Sequence, residues 1–491
     1  MALYWFGMPS FNRRRVTGVT CPVCGTFCDD IELVVENNVI VDVKNACAMG
    51  AAKFLNYSTH RSLKPLIRKN GELIETSLDE AVGKAAKILA DANYPILYGW
   101  SCTSCEAIRV GLELAEEVGG VIDNTSTVCH GPSILSVQDV GIVSCTLGQI
   151  RHRADLIFYW ASNPWSAHPR HIERYTMFTE GRFQKSTWKG YISRLGGVLS
   201  RKRLRRAANL VLRRDIPATP KIERHLPYTM FQKKRKMVVV DTRKTRTAEA
   251  ADYFLQIEPN KDYELLQAFR MLIRDEELNV DKVAGVPVEI LEEVADVMLD
   301  CKLGVFFFGL GLTMSEGKHR NIDTAISLTR DLNQRTKFLI MPMRGHFNVT
   351  GVNVVFTWQT GYPYAVDFSR GYPRYNPGET SVVDILSRGE SDAGLSIASD
   401  PVAHFPREAA QNLVKNPLIA IDPEVTPTTL MADVVIPSSF MGIETEGTAY
   451  RMDHVPLPLK KVVEPPKTCL SDVEILQRIL SKVRKLRRTS N

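Results

Sequence analysis

No apolar run in this chain is long enough to cross a bilayer, which takes about 20 predominantly apolar residues, and Val305–Leu312 is typical of the runs present. The N-terminus, MALYWFGMPSFNRRR, lacks the long apolar stretch of a secretory signal peptide. Without an export signal, a disulfide framework is not expected for the ten cysteines, and metal ligation or redox chemistry is the better interpretation. A soluble, cytoplasmic protein is predicted, and peripheral membrane contact stays compatible with the sequence.

The chain also lacks a complete G-x-G-x-x-G fingerprint. Apolar strands, polar loops and helical segments alternate instead, which predicts parallel sheets with helices on both faces. Ligands of such folds bind beyond the carboxyl ends of the strands. Five polar loops therefore indicate a large, nucleotide-bearing ligand; they follow the predicted strands Tyr94–Tyr98, Asp155–Trp160, Met237–Val240, Gly304–Phe308 and Leu418–Ile421.

Acidic residues are nearly missing from one segment, residues 181–236, which carries 17 Lys/Arg and 2 Asp/Glu. The rest of the chain has a net charge of −8, although the whole chain has +7. A solvated surface insertion, a docking site for an acidic protein and a contact with anionic lipid all remain open. Nucleic acid is disfavoured, because interleaved aromatics are sparse and no recognition motif is present.

Four cysteines form the strongest local signal: Cys21, Cys24 and Cys28 in CPVCGTFC, followed by Cys47. Three thiolates at spacings of three and four positions, with a distant fourth, suit a cubane iron–sulfur cluster. Tetrahedral zinc also accepts four cysteines, although zinc ribbons usually use two C-x2-C pairs. The Cys102-x-x-Cys105 pair is interpreted as two packed thiols, with a redox pair as the alternative.

Cys129 and His130 stand together in VCHGPS. A thiolate is a soft ligand for a heavy transition metal, and a neighbouring imidazole can move a proton near neutral pH. A tight turn beside a core thiol is the structural alternative.

The order of five motifs resembles that of molybdopterin oxidoreductases of the formate dehydrogenase type. They are the four-cysteine motif, VCHGPS, the Ser-Asn-Pro loop, VVVDTRKTRTAEAAD and MRGHFNVTG. Within that group the chain is most similar to the B subunits of formylmethanofuran dehydrogenases, on the wording of CPVCGTFCDDIE, HPRHIERYT, RGHFNVTGVN and DAGLSIASDPVAHFP. The similarity covers nearly the whole chain except the basic insertion.

The resemblance implies roles for individual residues. Cys21, Cys24, Cys28 and Cys47 would hold a [4Fe–4S] cluster, and Cys129 would bind molybdenum or tungsten, between which the sequence does not choose. His130 would assist proton movement. Arg344 would hold the carboxylate of formate, because a guanidinium can donate two parallel hydrogen bonds to it.

The implied cofactor is a bis-molybdopterin guanine dinucleotide carrying tungsten or molybdenum. Asp241 and Asp262 suit guanine, whose N1–H and exocyclic amine both donate hydrogen bonds. The predicted cofactor-binding residues are Gly99, Ser101, Asn124, Asn163, His168, Asp241, Arg243, Asp262, Gly309, Gly311, Gly345, Asn348, Thr445 and Gly447.

The implied fold is α/β, with a small iron–sulfur domain and two doubly wound αβα pterin-binding domains. We expect residues 1–60 with 435–491 in the iron–sulfur domain, 61–125 with 345–434 in the first αβα domain, and 126–344 in the second. The C-terminal β-barrel of larger relatives is expected to be absent, which predicts a lid from another subunit. Met49 replaces a lysine that relatives place between cluster and pterin, and Lys53 is a possible substitute.

The predicted function is reduction of CO2 to formate, which a partner subunit then condenses with methanofuran. The predicted partners are an amidohydrolase-like subunit, a β-barrel lid subunit, and polyferredoxin or ferredoxin-like electron donors. A plain formate dehydrogenase subunit is one alternative, and a cluster-bearing scaffold without a pterin is another.

Overall fold

The structure is a computed structural model that describes residues 13–182 and 235–490. Most of the predicted basic insertion, residues 181–236, lies outside these ranges, so its role stays a prediction. Within the described ranges, no helix has both the length and the apolarity required to cross a membrane.

A five-stranded sheet, parallel throughout, forms one domain. Its central strands, with sequences such as LIFYW, are buried on both faces, as helix-covered parallel sheets require. Alternate side chains pack against helices on opposite faces. In spatial order the strands are Tyr253–Gln256, Lys236–Asp241, Leu156–Trp160, Gly304–Phe308 and Phe338–Pro342. The strand order therefore reverses between Leu156–Trp160 and Gly304–Phe308, which opens a crevice at their carboxyl ends.

A nine-stranded sheet forms the second domain, with five parallel central strands and antiparallel strands at its edges. Helices again cover both faces. In spatial order its strands are Arg374–Tyr375, Val366–Asp367, Val121–Asn124, Pro95–Gly99, Ala393–Ile397, Leu418–Ile421, Val434–Ile436, Leu66–Lys69 and Glu72–Glu75. Its order reverses between Pro95–Gly99 and Ala393–Ile397. The predicted parallel sheets with helices on both faces are confirmed.

The remaining described strands form three smaller sheets. Arg13–Val19, Ile31–Glu36 and Val39–Lys44 form an antiparallel meander. Its last two strands form a hairpin, and Asn37 and Asn38 in the turn both adopt left-handed backbone (φ 49° and 67°), as a tight turn requires. The two-stranded sheets are Lys282–Val283 with Val286–Pro287 and Gly447–Tyr450 with Pro456–Leu459.

The helices fill the connections between these strands. Helices Leu78–Asp91 and Cys105–Val118 are each capped at the N-terminus by a serine. The described α-helices are Ala48–Asn56, Leu78–Asp91, Cys105–Val118, Gly131–Val140, Leu147–Arg153, Pro164–Ala167, Pro169–Arg174, Arg246–Glu249, Asp262–Ile273, Val288–Asp300, Leu310–Met314, His319–Asn333, Val349–Thr360, Val382–Arg388, Pro401–His404, Arg407–Lys415, Pro427–Met431 and Asp472–Ser490, and Thr125–Val128 is a 3-10 turn.

The C-terminal part of the chain packs into two hydrophobic cores. Residues 440–463 supply apolar side chains to the core of the three-stranded sheet. Helix Asp472–Ser490 instead packs on helices Leu78–Asp91 and Cys105–Val118 and buries its apolar face in the core of the nine-stranded sheet. The last helix therefore shares a hydrophobic core with the nine-stranded sheet, and the division of the chain into domains stays a prediction.

Candidate active site

The carboxyl edge of the five-stranded sheet brings together several predicted cofactor residues. Asp262 accepts a hydrogen bond from Nε1 of Trp160 (2.7 Å), and burial raises its pKa, with the nearby Asp241 carboxylate adding to the rise. A Cβ on Gly309 would overlap the carbonyl oxygen of Ala161, and one on Gly311 would lie 2.8 Å from the Ala161 Cβ. Glycine at both positions therefore allows the two loops that flank the crevice to pack directly.

Two other predicted cofactor residues, Asn163 and Arg243, belong to this edge but differ from Asp262 in their contacts. The amide of Asn163 bonds within the protein, to Oγ of Ser166 (3.0 Å) and Oγ1 of Thr247 (2.6 Å). Arg243 is exposed, and only its backbone N–H is held, by Oδ1 of Asp241 (3.2 Å). Asn163 therefore shapes the loop, while the Arg243 side chain lies at the surface.

The carboxyl edge of the nine-stranded sheet collects a second group. Gly99 has φ 128°, and a Cβ there would overlap the carbonyl oxygen of Ile397. Oγ of Ser101 lies 2.5 Å from Oγ1 of Thr125, and the Ser101 carbonyl accepts from the Asn348 N–H (3.1 Å). The Asn348 side chain donates to the Thr103 carbonyl (2.7 Å) and accepts from the Tyr450 N–H (2.9 Å). Asn348 thus ties three loops together.

Two more predicted cofactor residues lie next to this edge. Gly447 begins the hairpin Gly447–Tyr450/Pro456–Leu459, and a Cβ on it would lie 2.6 Å from the Ser104 Cβ. Thr445, half-buried, accepts from the Gly442 N–H through its carbonyl oxygen (2.9 Å).

Strained backbone marks both crevices. Trp100, Ala161 and Ala398 each directly follow a strand beside a reversal point, and each has left-handed backbone (φ 72°, 47° and 46°). Such strain in non-glycine residues is concentrated at functional sites. Ala398 begins a loop, Ala398–Asp400, that the sequence-based predictions missed. Its strand-then-polar-loop pattern was the available signal.

Cys129 lies in a turn between the two large domains. Strand Val121–Asn124 leads into the 3-10 turn Thr125–Val128, which the Asn124 side chain caps by accepting from the Ser126 N–H (3.0 Å). The predicted cofactor residue Asn124 thus acts on the Cys129 turn. The Cys129 carbonyl accepts from Thr313 Oγ1 (3.1 Å), in the five-stranded domain. Burial raises the pKa of the Cys129 thiol to about 11, and the Arg344 guanidinium lies close enough to oppose that rise.

Arg344 is buried, and no carboxylate among the described residues pairs with it. It is 7% exposed, and burial lowers its pKa to about 10, opposed by Cys129. One guanidinium nitrogen donates to Oδ1 of Asn353. Across residues 13–182 and 235–490, Nε of Arg344 has no hydrogen-bond partner and no acidic side chain forms an ion pair with the group. A buried cation in this state is suited to an anionic ligand.

Two buried imidazoles accompany Arg344. Burial lowers the pKa of His130 to about 3, and the Arg344 charge acts in the same direction, so the ring is neutral at physiological pH. Its Nδ1 lies 3.2 Å from Oγ of Ser133. Nε2 of His168 lies 2.7 Å from the Arg344 carbonyl oxygen and must donate to it, while its Nδ1 is buried and finds no partner in the described part of the chain. Predicted as a cofactor ligand, His168 lies beside Arg344.

The four motif cysteines line one cavity, together with Pro169 and Arg170. Burial raises the pKa of the Cys21, Cys24 and Cys28 thiols, for Cys28 to about 11, although Arg174 and Arg170 oppose the rise at Cys28. The Cys47 sulfur caps helix Ala48–Asn56 by accepting from the Gly50 N–H (3.5 Å). Among the described residues, no three His, Cys, Asp or Glu side chains are arranged to hold one metal ion.

The cysteine loop packs directly on the Arg344 loop. The Gly25 N–H donates to the Gly345 carbonyl (3.0 Å), and Cys24 pairs with His346 as an isolated bridge. A Cβ on Gly25 would overlap the Arg344 carbonyl oxygen. Gly345 itself is exposed. The Lys53 ammonium pairs with Glu424 (3.2 Å) and lies over the ring of Phe440, with its Nζ 4.4 Å from the ring centroid.

Comparison with known proteins agrees with this arrangement. Residues 212–482 match the family described as molybdopterin oxidoreductase. The B subunit of the tungsten-containing formylmethanofuran dehydrogenase 2 of Methanocaldococcus jannaschii is 48% identical, over 96% of this chain and 99% of the relative. The chain belongs to the molybdopterin oxidoreductases, among the formylmethanofuran dehydrogenase B subunits. It is therefore a molybdenum- or tungsten-dependent oxidoreductase of the molybdopterin type, and the predicted family is confirmed.

Two further similarities extend this result. The B subunit of the same name from Methanococcus maripaludis is 44% identical, over 95% of this chain and 98% of the relative. A chain in the formyltransferase/hydrolase complex from Methylorubrum extorquens, solved in complex with methylofuran, has the same fold with a TM-score of 0.61 and 20% identity. The match covers 85% of this chain and 98% of that chain.

Proposed function

We propose that this chain is the catalytic subunit that reduces CO2 to formate at a tungsten or molybdenum centre, held by a bis-molybdopterin guanine dinucleotide. The observation that carries the proposal is the position of Arg344, a buried guanidinium without an acidic partner, beside Cys129. A thiolate that binds the metal and a cation that binds the product carboxylate would then face one reaction site.

The two crevices fit such a cofactor. Each lies at a reversal point of a parallel sheet, where nucleotides bind, and the Cys129 turn lies between the domains that carry them. Asp241 and Asp262 would accept from guanine at one crevice, and the Gly99–Ser101 loop would approach the pyrophosphate at the other. When bound, the metal supplies the two-electron redox chemistry.

The residues of the chain itself would bind the carbon substrate and move its proton. Arg344 would donate two parallel hydrogen bonds to formate and stabilise the negative charge that grows as CO2 is reduced. Burial and the Arg344 charge keep His130 neutral, so its imidazole would act through hydrogen bonds to the substrate. It would take up a proton only when the negative charge of the bound carboxylate offsets the Arg344 charge. His168 would hold the Arg344 backbone in place and leave Nδ1 as a buried acceptor.

The four cysteines would hold a [4Fe–4S] cluster. All four thiols line one cavity. Their spacing, C-x2-C-x3-C with a distant fourth cysteine, suits a cubane cluster better than the paired C-x2-C motifs of zinc ribbons. The backbone contact of Gly25 with Gly345 would place that cluster next to the reaction site. Electrons from a polyferredoxin or a ferredoxin-like subunit would enter here.

Other subunits would complete the reaction. By analogy with the related B subunits, we propose an amidohydrolase-like partner that condenses formate with methanofuran, and a β-barrel partner that covers the pterins. The relatives are named as one subunit of a formylmethanofuran dehydrogenase, which supports such an assembly.

Variants of Cys129 and Arg344 test the proposal in the anaerobically purified complex. Cys129→Ala should abolish viologen-linked formate oxidation with unchanged iron content, because the metal loses its protein ligand. Arg344→Lys keeps the positive charge but cannot donate two parallel hydrogen bonds, so activity per metal atom should fall at least about tenfold. Cys301→Ala, at the opposite edge of the five-stranded sheet, is the control and should retain activity. Full activity per metal atom in either site variant would exclude that residue from the mechanism.

A further inference from the structure

We propose that Asn353 is a positioning residue that holds the Arg344 guanidinium at a set distance from Cys129 and keeps its charge available to the carboxylate of formate. The inference rests on the proposed function and adds to it a determinant of formate affinity. Asn353 lies in helix Val349–Thr360 and is 7% exposed.

The hydrogen bonds of Asn353 leave its side-chain amide only one orientation. Its Nδ2 donates to Oγ of Ser126 (2.9 Å) and to the Pro363 carbonyl (2.9 Å). Both amide hydrogens are therefore used, and Oδ1 must face Arg344, from which it accepts. Because a flipped amide would lose its bonds to the Pro363 carbonyl and to Arg344, the guanidinium is held in one place.

The same amide connects Arg344 to the Cys129 turn. Ser126 accepts from the Cys129 N–H through its carbonyl oxygen (3.1 Å), while its hydroxyl accepts from Asn353. Arg344 is thus linked to Cys129 through two residues, Asn353 and Ser126. Displacement of Asn353 would change the spacing between guanidinium and thiol.

The neutrality of Asn353 matters as much as its position. Three other buried or nearly buried arginines of the described chain have acidic partners: Arg61 bonds Glu444 (2.6 Å), Arg170 bonds Asp30 (2.6 Å) and Arg451 bonds Asp453 (2.6 Å). A carboxylate at position 353 would neutralise Arg344 and compete with formate. An amide oxygen fixes the geometry without that competition.

The test compares Asn353→Asp, Asn353→Leu and the control Asn416→Asp in the anaerobic complex. Asn416 is half-buried and also donates to backbone carbonyls, of Ser391 and Asn412, but it precedes strand Leu418–Ile421 and so lies at the edge opposite the site. Formate affinity is measured by equilibrium dialysis of labelled formate against complex kept reduced with dithionite, a state that cannot oxidise it. Metal and iron contents and the thermal midpoint are measured on the same samples.

Asn353→Asp should weaken formate binding at least about tenfold per metal-loaded site, because the Arg344 guanidinium would pair with the new carboxylate instead of with formate. Asn353→Leu leaves the Arg344 charge unneutralised but removes the hydrogen bond that orients the guanidinium. The kcat of formate oxidation should therefore fall by a larger factor than KM rises. Asn416→Asp should bind formate as the wild type does. Wild-type formate affinity per loaded site in both Asn353 variants, even with lowered thermal midpoints, would overturn the inference and leave the proposed function intact. A wild-type complex that neither binds nor oxidises formate would overturn both.

Discussion

Gly25 is the residue through which the cysteine loop touches the Arg344 loop. Its N–H bonds the Gly345 carbonyl, and the position of its absent Cβ is already taken by the Arg344 carbonyl oxygen. The two proposed functions of the site, electron entry and carboxylate binding, therefore meet at a glycine.

We expect Gly25→Ala to force these loops apart, because backbone atoms on both sides cannot yield as a flexible side chain would. Iron content and the thermal midpoint should both fall, and formate oxidation should fall at least as far as iron. Gly148→Ala is the matched control: its Cβ would meet nothing closer than 3.7 Å, and alanine in a helix is favoured over glycine by up to about 1 kcal/mol. Equal iron content in the Gly25 variant and the wild type would contradict the expectation.

At the scale of single residues, the sequence indicated chemistry but not environment. The cysteine spacing and the Cys129-His130 pair were readable from the chain, since ligand types and spacings are local. The neutrality of His130 was not, because it follows from burial and from Arg344, more than 200 positions away. Asn353 left one weak signal, an amide within the otherwise apolar helical run VTGVNVVF.

Helices and strands of the αβα domains were predictable where a local rule governs them. Helix Cys105–Val118 begins after Ser104, whose hydroxyl accepts from the Ala107 N–H (3.2 Å), and ends at Gly119 with φ 66°. Helix Asp472–Ser490 shows the opposite case. Its place was not predicted, because the sequence of one amphipathic helix does not specify which domain covers its apolar face, and that choice depends on tertiary packing.

The apolar face of helix Asp472–Ser490 should contribute strongly to stability. Ile479 is fully buried between this helix and the nine-stranded domain, so Ile479→Ala should lower the free energy of unfolding by about 2–5 kcal/mol. Leu486→Ala, on the same helix but 38% exposed, should have a much smaller effect. Thermal unfolding monitored by circular dichroism measures both. Formate affinity per loaded site should stay unchanged in each, and equal losses of stability would contradict the assigned packing.

Across the whole molecule, buried neutral histidines should make stability sensitive to acid. Burial lowers the pKa of His130, His168 and His171. A histidine with a lowered folded-state pKa contributes stability above its unfolded pKa of about 6.5, and that contribution is lost as the pH falls below this value. Acidification below about pH 6.5 should therefore destabilise the protein.

His171→Gln isolates one such contribution. His171 is buried against Phe307, and its Nδ1 lies 3.0 Å from the hydroxyl of Tyr159. The variant should be less stable than the wild type at pH 7.5, and the difference in thermal midpoint should narrow towards pH 5, since only the wild type must keep this ring unprotonated. The slope attributable to one histidine is at most about 1.4 kcal/mol per pH unit. A difference independent of pH would show that His171 titrates normally.

The bridge between Cys24 and His346 has a consequence for work in air. Loss of iron from the proposed cluster would release the turn that supports the Arg344 backbone, and formate binding at the proposed site would weaken without loss of the pterin metal. Each damaged molecule would then lose electron transfer and formate binding together. A partly oxidised preparation should therefore contain fewer active molecules, each with full activity, rather than a population of uniformly slower ones.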